Sequence, residues 1–149
     1  MLTQKMLTEM ADLLDSDGIN YSVSLSLYSG LKESAGEISS IVTRLIGNDA
    51  VLDGIRDASM PEVVETLRQS LGYVGDDGAG PGPSTLRTAD FSRLLESICH
   101  SVVQFSQTGS GIKSFEFVRG HPHYPVFWDF AYLFLGNDKD VLLVGSSSD

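Results

Sequence analysis

The sequence predicts a single α+β domain over residues 1–149, mainly helical through Phe105 and closing in an antiparallel sheet of three or four strands. Three features carry that expectation. Apolar residues recur at helical spacing in several stretches before Phe105, whereas eight of the thirteen aromatic residues crowd between Phe115 and Phe134. The segments around that crowd read with period two and are separated by turn-forming residues. A chain of 149 residues, 42% of them hydrophobic, suffices for one sizeable core.

Taken in order, Leu2, Met6, Met10, Leu13 and Leu14 form the stripe of an amphipathic helix that Asp17 and Gly18 stop. From Ile19 to Leu27 apolar residues alternate with Asn20, Ser22, Ser24 and Ser26, the pattern of a half-buried strand whose serine face meets water or a partner. Joining the C-terminal sheet is the simpler arrangement, because an isolated strand leaves its backbone groups unpaired. Ile38, Ile41, Val42, Leu45 and Ile46 predict a helix over 34–46 ending at Gly47. A short helix is expected over 49–58, with Val51, Leu52 and Ile55 inward and Gly54 weakening it.

Ser59 and Glu62 have the spacing of a capping box that opens a helix ending at Gly72. Residues 75–84, rich in glycine and proline, break the composition and predict a mobile loop. Thr88 can cap the next helix, 89–106, whose Phe91, Leu94, Leu95, Ile98, Val102 and Phe105 share one face and should lie on the sheet; His100 falls on the opposite, solvent-facing stripe. Phe115 and Phe117 then mark an outer strand. The run from Tyr124 to Leu135 is apolar on both parities, as a central strand covered on both sides requires, and Gly136 to Lys139 has the chemistry of a tight hairpin into a strand over 140–145. Trp128 is expected to be largely buried by helix 89–106, and residues 146–149 to fray.

Ten basic against twenty acidic residues leave a formal charge of −10. Such a surface repels nucleic acid and anionic membranes and favours a basic protein as partner. No apolar run reaches the ~20 residues of a membrane helix, and no charged-then-apolar leader opens the chain. A cytoplasmic protein is expected. Cys99 is alone, so no intrachain disulfide can form and a reducing compartment suits the chain.

Candidate chemistry is sparse. His121 and His123, two apart in extended structure, can point the same way and offer two nitrogen ligands, with Asp129, Glu116 or His100 as a third. Asp129 lies inside the apolar central run, where a carboxylate needs a partner such as Arg119 or a histidine of the preceding turn. Asp76 and Asp77 in the glycine loop could meet a cation or a basic partner. Residues 109–114 lack the spacing of a phosphate loop and lead into a strand instead of a helix. Neither a nucleophile elbow, a paired-cysteine site, a calcium loop nor a dinucleotide fingerprint is present, so no cofactor is expected.

No motif identifies a family. In character alone, small, acidic, cysteine-poor, helical at first and then an aromatic sheet, the chain resembles the bacterial immunity proteins that neutralise basic toxins; the likeness is one of composition and not of matched residues. It implies a non-enzymatic domain that binds a basic protein. The alternative expectation is a small enzyme or metal-binding protein using His121, His123 and Asp129.

Overall fold

The computed structural model describes all residues except 34, 35 and 108. Its elements are α1 (Gln4–Asp15), β1 (Ser22–Leu31), α2 (Ile38–Ile46), β2 (Val51–Asp57), α3 (Met60–Leu71), α4 (Ala89–Ser106), β3 (Gly111–Arg119), β4 (Trp128–Leu135) and β5 (Lys139–Ser148), with one 3-10 turn at Thr85–Arg87. The fold is α+β. The strands form one antiparallel sheet in the order β1-β5-β4-β3-β2.

Helix ends follow the capping chemistry of the sequence. Thr3 and Thr88 side chains accept from Met6 and Phe91 N–H at the starts of α1 and α4, and Gly47 closes α2 in the left-handed region at φ 72°. Ser59 accepts from the Glu62 N–H, but Glu62 does not complete a capping box. Its carboxylate instead takes both guanidinium nitrogens of Arg56 at 3.0 and 2.8 Å, because the chain arriving from β2 brings a better donor than the helix's own first N–H.

Several expectations need correction. The sheet has five strands, since β1 and β2, both from the first half of the chain, form its two edges. Residues 49–58 do not form a helix. Val51–Asp57 is β2, paired with β3 through a register irregularity between Asp53 and Arg56 where Gly54 takes φ 62°; Val51 and Ile55 are exposed. The apolar spacing over that stretch suited either element, and pairing with the open edge of β3 decided it. Residues 36 and 37 of the helix expected over 34–46 precede α2, and 34 and 35 lie outside the described residues. The end of the chain does not fray: Ser146 and Ser147 are buried in β5. Strand β4 begins at Trp128 and not at Tyr124, which is exposed.

The sheet is covered on both faces. Alternate residues of β4, namely Phe130, Tyr132 and Phe134, join Leu143, Val23 and Leu25 in a core closed by α1, α3 and α4. Phe105 of α4 meets Phe134 edge-on, as expected of a helix lying on this sheet. On the other face Ala131, Leu133, Leu142, Val144 and Phe115 pack under α2 through Ile41 and Val42. Trp128 stands at the rim of the larger core, partly exposed. Its ring stacks on Phe130 and its Nε1 donates to the Tyr21 hydroxyl at 2.8 Å, so β4 and the residue just before β1 hold it together with the helical layer.

Two polar devices hold the periphery. Gln4 and Asp15, at opposite ends of α1, bond the outer edge of β1: Gln4 donates to Leu25 C=O and accepts from Leu27 N–H, and Asp15 accepts from Val23 N–H, each at 2.8 Å. Asp140, 1% exposed, divides its carboxylate between Lys32 at 3.4 Å and Arg44 at 3.8 Å, joining the start of β5 to the residue after β1 and to the last turn of α2.

Gly145 marks the tightest packing in the larger core. It lies opposite Phe130 and Leu25 in register, and a Cβ there would meet the Phe130 ring at 2.4 Å and Leu25 at 2.9 Å. Gly145→Ala should therefore destabilise by about 1–3 kcal/mol, the usual cost of overpacking, measured as a fall in the urea midpoint. Gly78→Ala, whose Cβ meets only Asp76 at an ordinary 3.5 Å, should shift stability by no more than about 0.5 kcal/mol.

Candidate functional site

The short helix α2 covers only part of its face, and the connection from β3 to β4 covers more. This strap, residues 120–127, crosses the sheet from β3 toward β1 and then returns to start β4. His121 sits edge-on to Phe117 with ring centres 5.0 Å apart. Its Nδ1 accepts the His123 backbone N–H at 2.9 Å, which assigns the ring proton to Nε2 in the neutral form. His123 reaches the serine face of β1, where its Nε2 lies 2.8 Å from Ser26 Oγ. On the return, the N–H groups of Val126 and Phe127 both point to Ser147 C=O.

His121, His123 and Asp129 are thus brought together, but not as a ligand set. His121 Nε2 is buried and comes within 3.5 Å of Asp129 Oδ2, without making a well-directed hydrogen bond. The Asp129 side chain is 44% exposed. It needs no buried counter-charge, because strand β4 starts only one residue earlier and leaves it at the sheet's end. Arg119 makes no ion pair with it. Among the described residues no group of three or more His, Cys, Asp or Glu side chains is placed to hold a metal ion. Ser26 and His123 have the separation of a nucleophile and its base, yet Asp129 stands behind His121 and not behind His123.

Asp76 and Asp77 lie apart from the histidines, across the sheet. Asp76 Oδ1 accepts the N–H groups of Gly78 and Ala79 at 2.8 and 3.0 Å, and the loop is tied to the start of β1 by reciprocal 2.9 Å bonds between Ile19 and Gly80. Asn20 adds a bond to Gly78 C=O at 3.0 Å. Between the two places stands an aromatic triangle of Tyr21, Tyr73 and Phe127, with ring centres 5.8–5.9 Å apart. Phe127 comes from the strap and Tyr73 from the segment before the glycine loop, so the triangle joins the two.

All of these groups occupy one end of the sheet, where β1, β2 and β4 begin and β3 and β5 finish. Ile19, Val74, Tyr124 and Val126, exposed by 56, 70, 77 and 45%, are at this end, as are the exposed Val51 and Val118. So are Asp17, Asp49, Asp76, Asp77 and Asp129, none with a Lys or Arg partner among the described residues. Arg119, the last residue of β3, stands among them. Lys32, Arg44, Arg56, Lys113 and Lys139 gather at the opposite end, where Lys32, Arg44, Arg56 and Lys113 are paired with acids.

Sequence reasoning missed Ser26, Ile19, Val74 and Tyr124. The serine alternation of β1 marked a polar face without naming its partner, and isolated apolar residues in loops carry no periodic signal. No family model, curated protein or solved structure matches this chain.

Burial, reinforced by neighbouring His121, holds the His123 imidazole below the ordinary histidine range. The unfolded chain then takes up a proton first, near pH 6.5, and below that the folded state binds fewer protons than the unfolded one. Stability from this group is complete above that pH and lost as pH falls through the folded value. The urea midpoint should accordingly drop between about pH 7 and pH 5, and His123→Gln, which can still bond Ser26, should show a shallower drop. A wild-type slope in that variant would exclude His123 as the source.

Proposed function

We propose that this domain acts by binding a basic protein, and that it does so through the acidic end of its sheet. In its narrower form the proposal is neutralisation of a basic toxin, the role of the immunity proteins whose composition the chain shares. One observation carries the reading: exposed Ile19, Val74, Tyr124 and Val126 share the sheet end with five carboxylates that have no Lys or Arg partner among the described residues, while Lys32, Arg44, Arg56, Lys113 and Lys139 lie at the other end and Arg119 is the one strand cation at this one. Exposed apolar side chains clustered among polar ones mark contact surfaces. Tyrosine is among the residues that anchor such contacts.

The charge arrangement supplies what a basic partner would feel. A net charge of −10, with five carboxylates at this end that lack a Lys or Arg partner among the described residues, draws a positive surface and speeds encounter. Asp53 and Glu116 lie opposite one another across β2 and β3. Like charges in that position are mutually destabilising, and a partner's cation relieves them.

The test is a complex with a protein captured at low salt and then identified. The captured protein should be basic, and its affinity should fall about tenfold or more when salt rises severalfold through the physiological range. Tyr124→Ala combined with Asp129→Asn should weaken it by a similar factor, whereas Asp138→Asn at the opposite end should not. A neutral or acidic partner, or affinity indifferent to salt and to the Tyr124 and Asp129 changes, would sink the reading.

A further inference from the structure

Within the acidic end, the geometry points to one socket that takes an aliphatic side chain flanked by lysine or arginine on the partner: the cavity between Ile19 and Val74 above the glycine loop. This inference rests on the basic-partner reading above and names the place and chemistry of its anchor.

The cavity measures about 240 Å³ and is lined by Ile19, Val74, Pro81 and Pro83, with Asp76 and Asp77 on its rim. That is below the roughly 300–1,000 Å³ of clefts that hold drug-sized molecules, so its natural occupant is a side chain. Its walls pack closely and are bonded to one another. Gly75 and Gly80 approach so closely that a Cβ on Gly75 would meet Ala79 C=O at 2.2 Å, and one on Gly80 would meet Val74 C=O at 2.7 Å. The paired bonds between Ile19 and Gly80 hold one wall to the other. Two prolines add stiffness, with Pro81 buried. A socket that loses little freedom on binding gives more affinity for the same contact.

The exposed walls and the charged rim specify the occupant. Ile19 and Val74 leave 56 and 70% of their surface in water, more than packing against the loop requires, and an aliphatic side chain inserted between them would cover both. Asp77 is exposed and has no cationic partner among the described residues, and Asp76 gives only Oδ1 to its loop. Asp17 stands against Gly82 at the foot of the same loop. Carboxylates on the rim of an apolar socket select a cation on either side of the inserted group. They disfavour an acidic neighbour.

Two synthetic peptides of equal charge test this, one with leucine between paired Lys-Arg flanks and one with serine in place of that leucine, each titrated into isotope-labelled full-length protein and followed by amide NMR shifts. The leucine peptide should move the amides of Ile19, Val74 and residues 76–80 and bind at least about tenfold more tightly than the serine peptide. Val74→Ser, at an exposed position where stability should be unaffected, should remove that difference; an unchanged melting temperature confirms that the variant is folded. If both peptides bind equally, or the shifts centre on Tyr124 and Asp129, the socket is wrong while the basic-partner reading survives. If neither peptide moves any amide, both fail together.

Discussion

The constraint that shapes this molecule is a sheet with two apolar faces and too few helices to cover both. Phe130, Tyr132 and Phe134 face one way and Ala131 and Leu133 the other, so β4 cannot leave either side to water. Three helices close the first face. The second receives only α2, nine residues long. What α2 leaves open is crossed by the strap between β3 and β4, which must turn back to begin the next strand and therefore ends where the sheet ends. The location of the histidines, of Tyr124 and of Val126 follows from that shortage and not from any chemistry among them.

Burial also decides where opposite charges must meet. Where backbone and helix ends are closely packed, as at the start of β5, a buried carboxylate such as Asp140 survives only with Lys32 and Arg44 beside it. Two of the ten cations, Lys32 and Arg44, are held there. Acids at the open end are solvated and can stand alone at little cost.

Much of the fold was legible in the sequence because helical spacing and caps are local. The stripes of α1 and α4, the Ser59 and Thr88 caps and the left-handed Gly47 are each decided within a few residues. The two-sided burial of β4 was equally plain from its apolar parities. Strand β2 was not, since Val51, Leu52 and Ile55 fit a helix as well as a strand and only the free edge of β3, sixty residues later, chose between them. Of the candidate site, the proximity of His121, His123 and Asp129 was visible as a cluster in sequence. That His123 bonds Ser26, ninety-seven positions away, was not. Nor was the partnership of the glycine loop with Ile19, which depends on one bridge between segments that share no pattern.

Helix α1 has a role beyond its apolar stripe. Strand β1 is ten residues long, carries no charge and no proline, and pairs with β5 without a break in register. Those are the properties of a strand that would recruit another chain. Gln4 and Asp15 occupy three of its outward backbone groups, the amide of Gln4 standing in for the peptide group of an absent neighbour. The helix is therefore a guard as well as a layer of the core. Proteolytic loss of α1 would bare this edge together with the apolar face that Leu7, Met10 and Leu14 cover, so that self-association and loss of the core would come together.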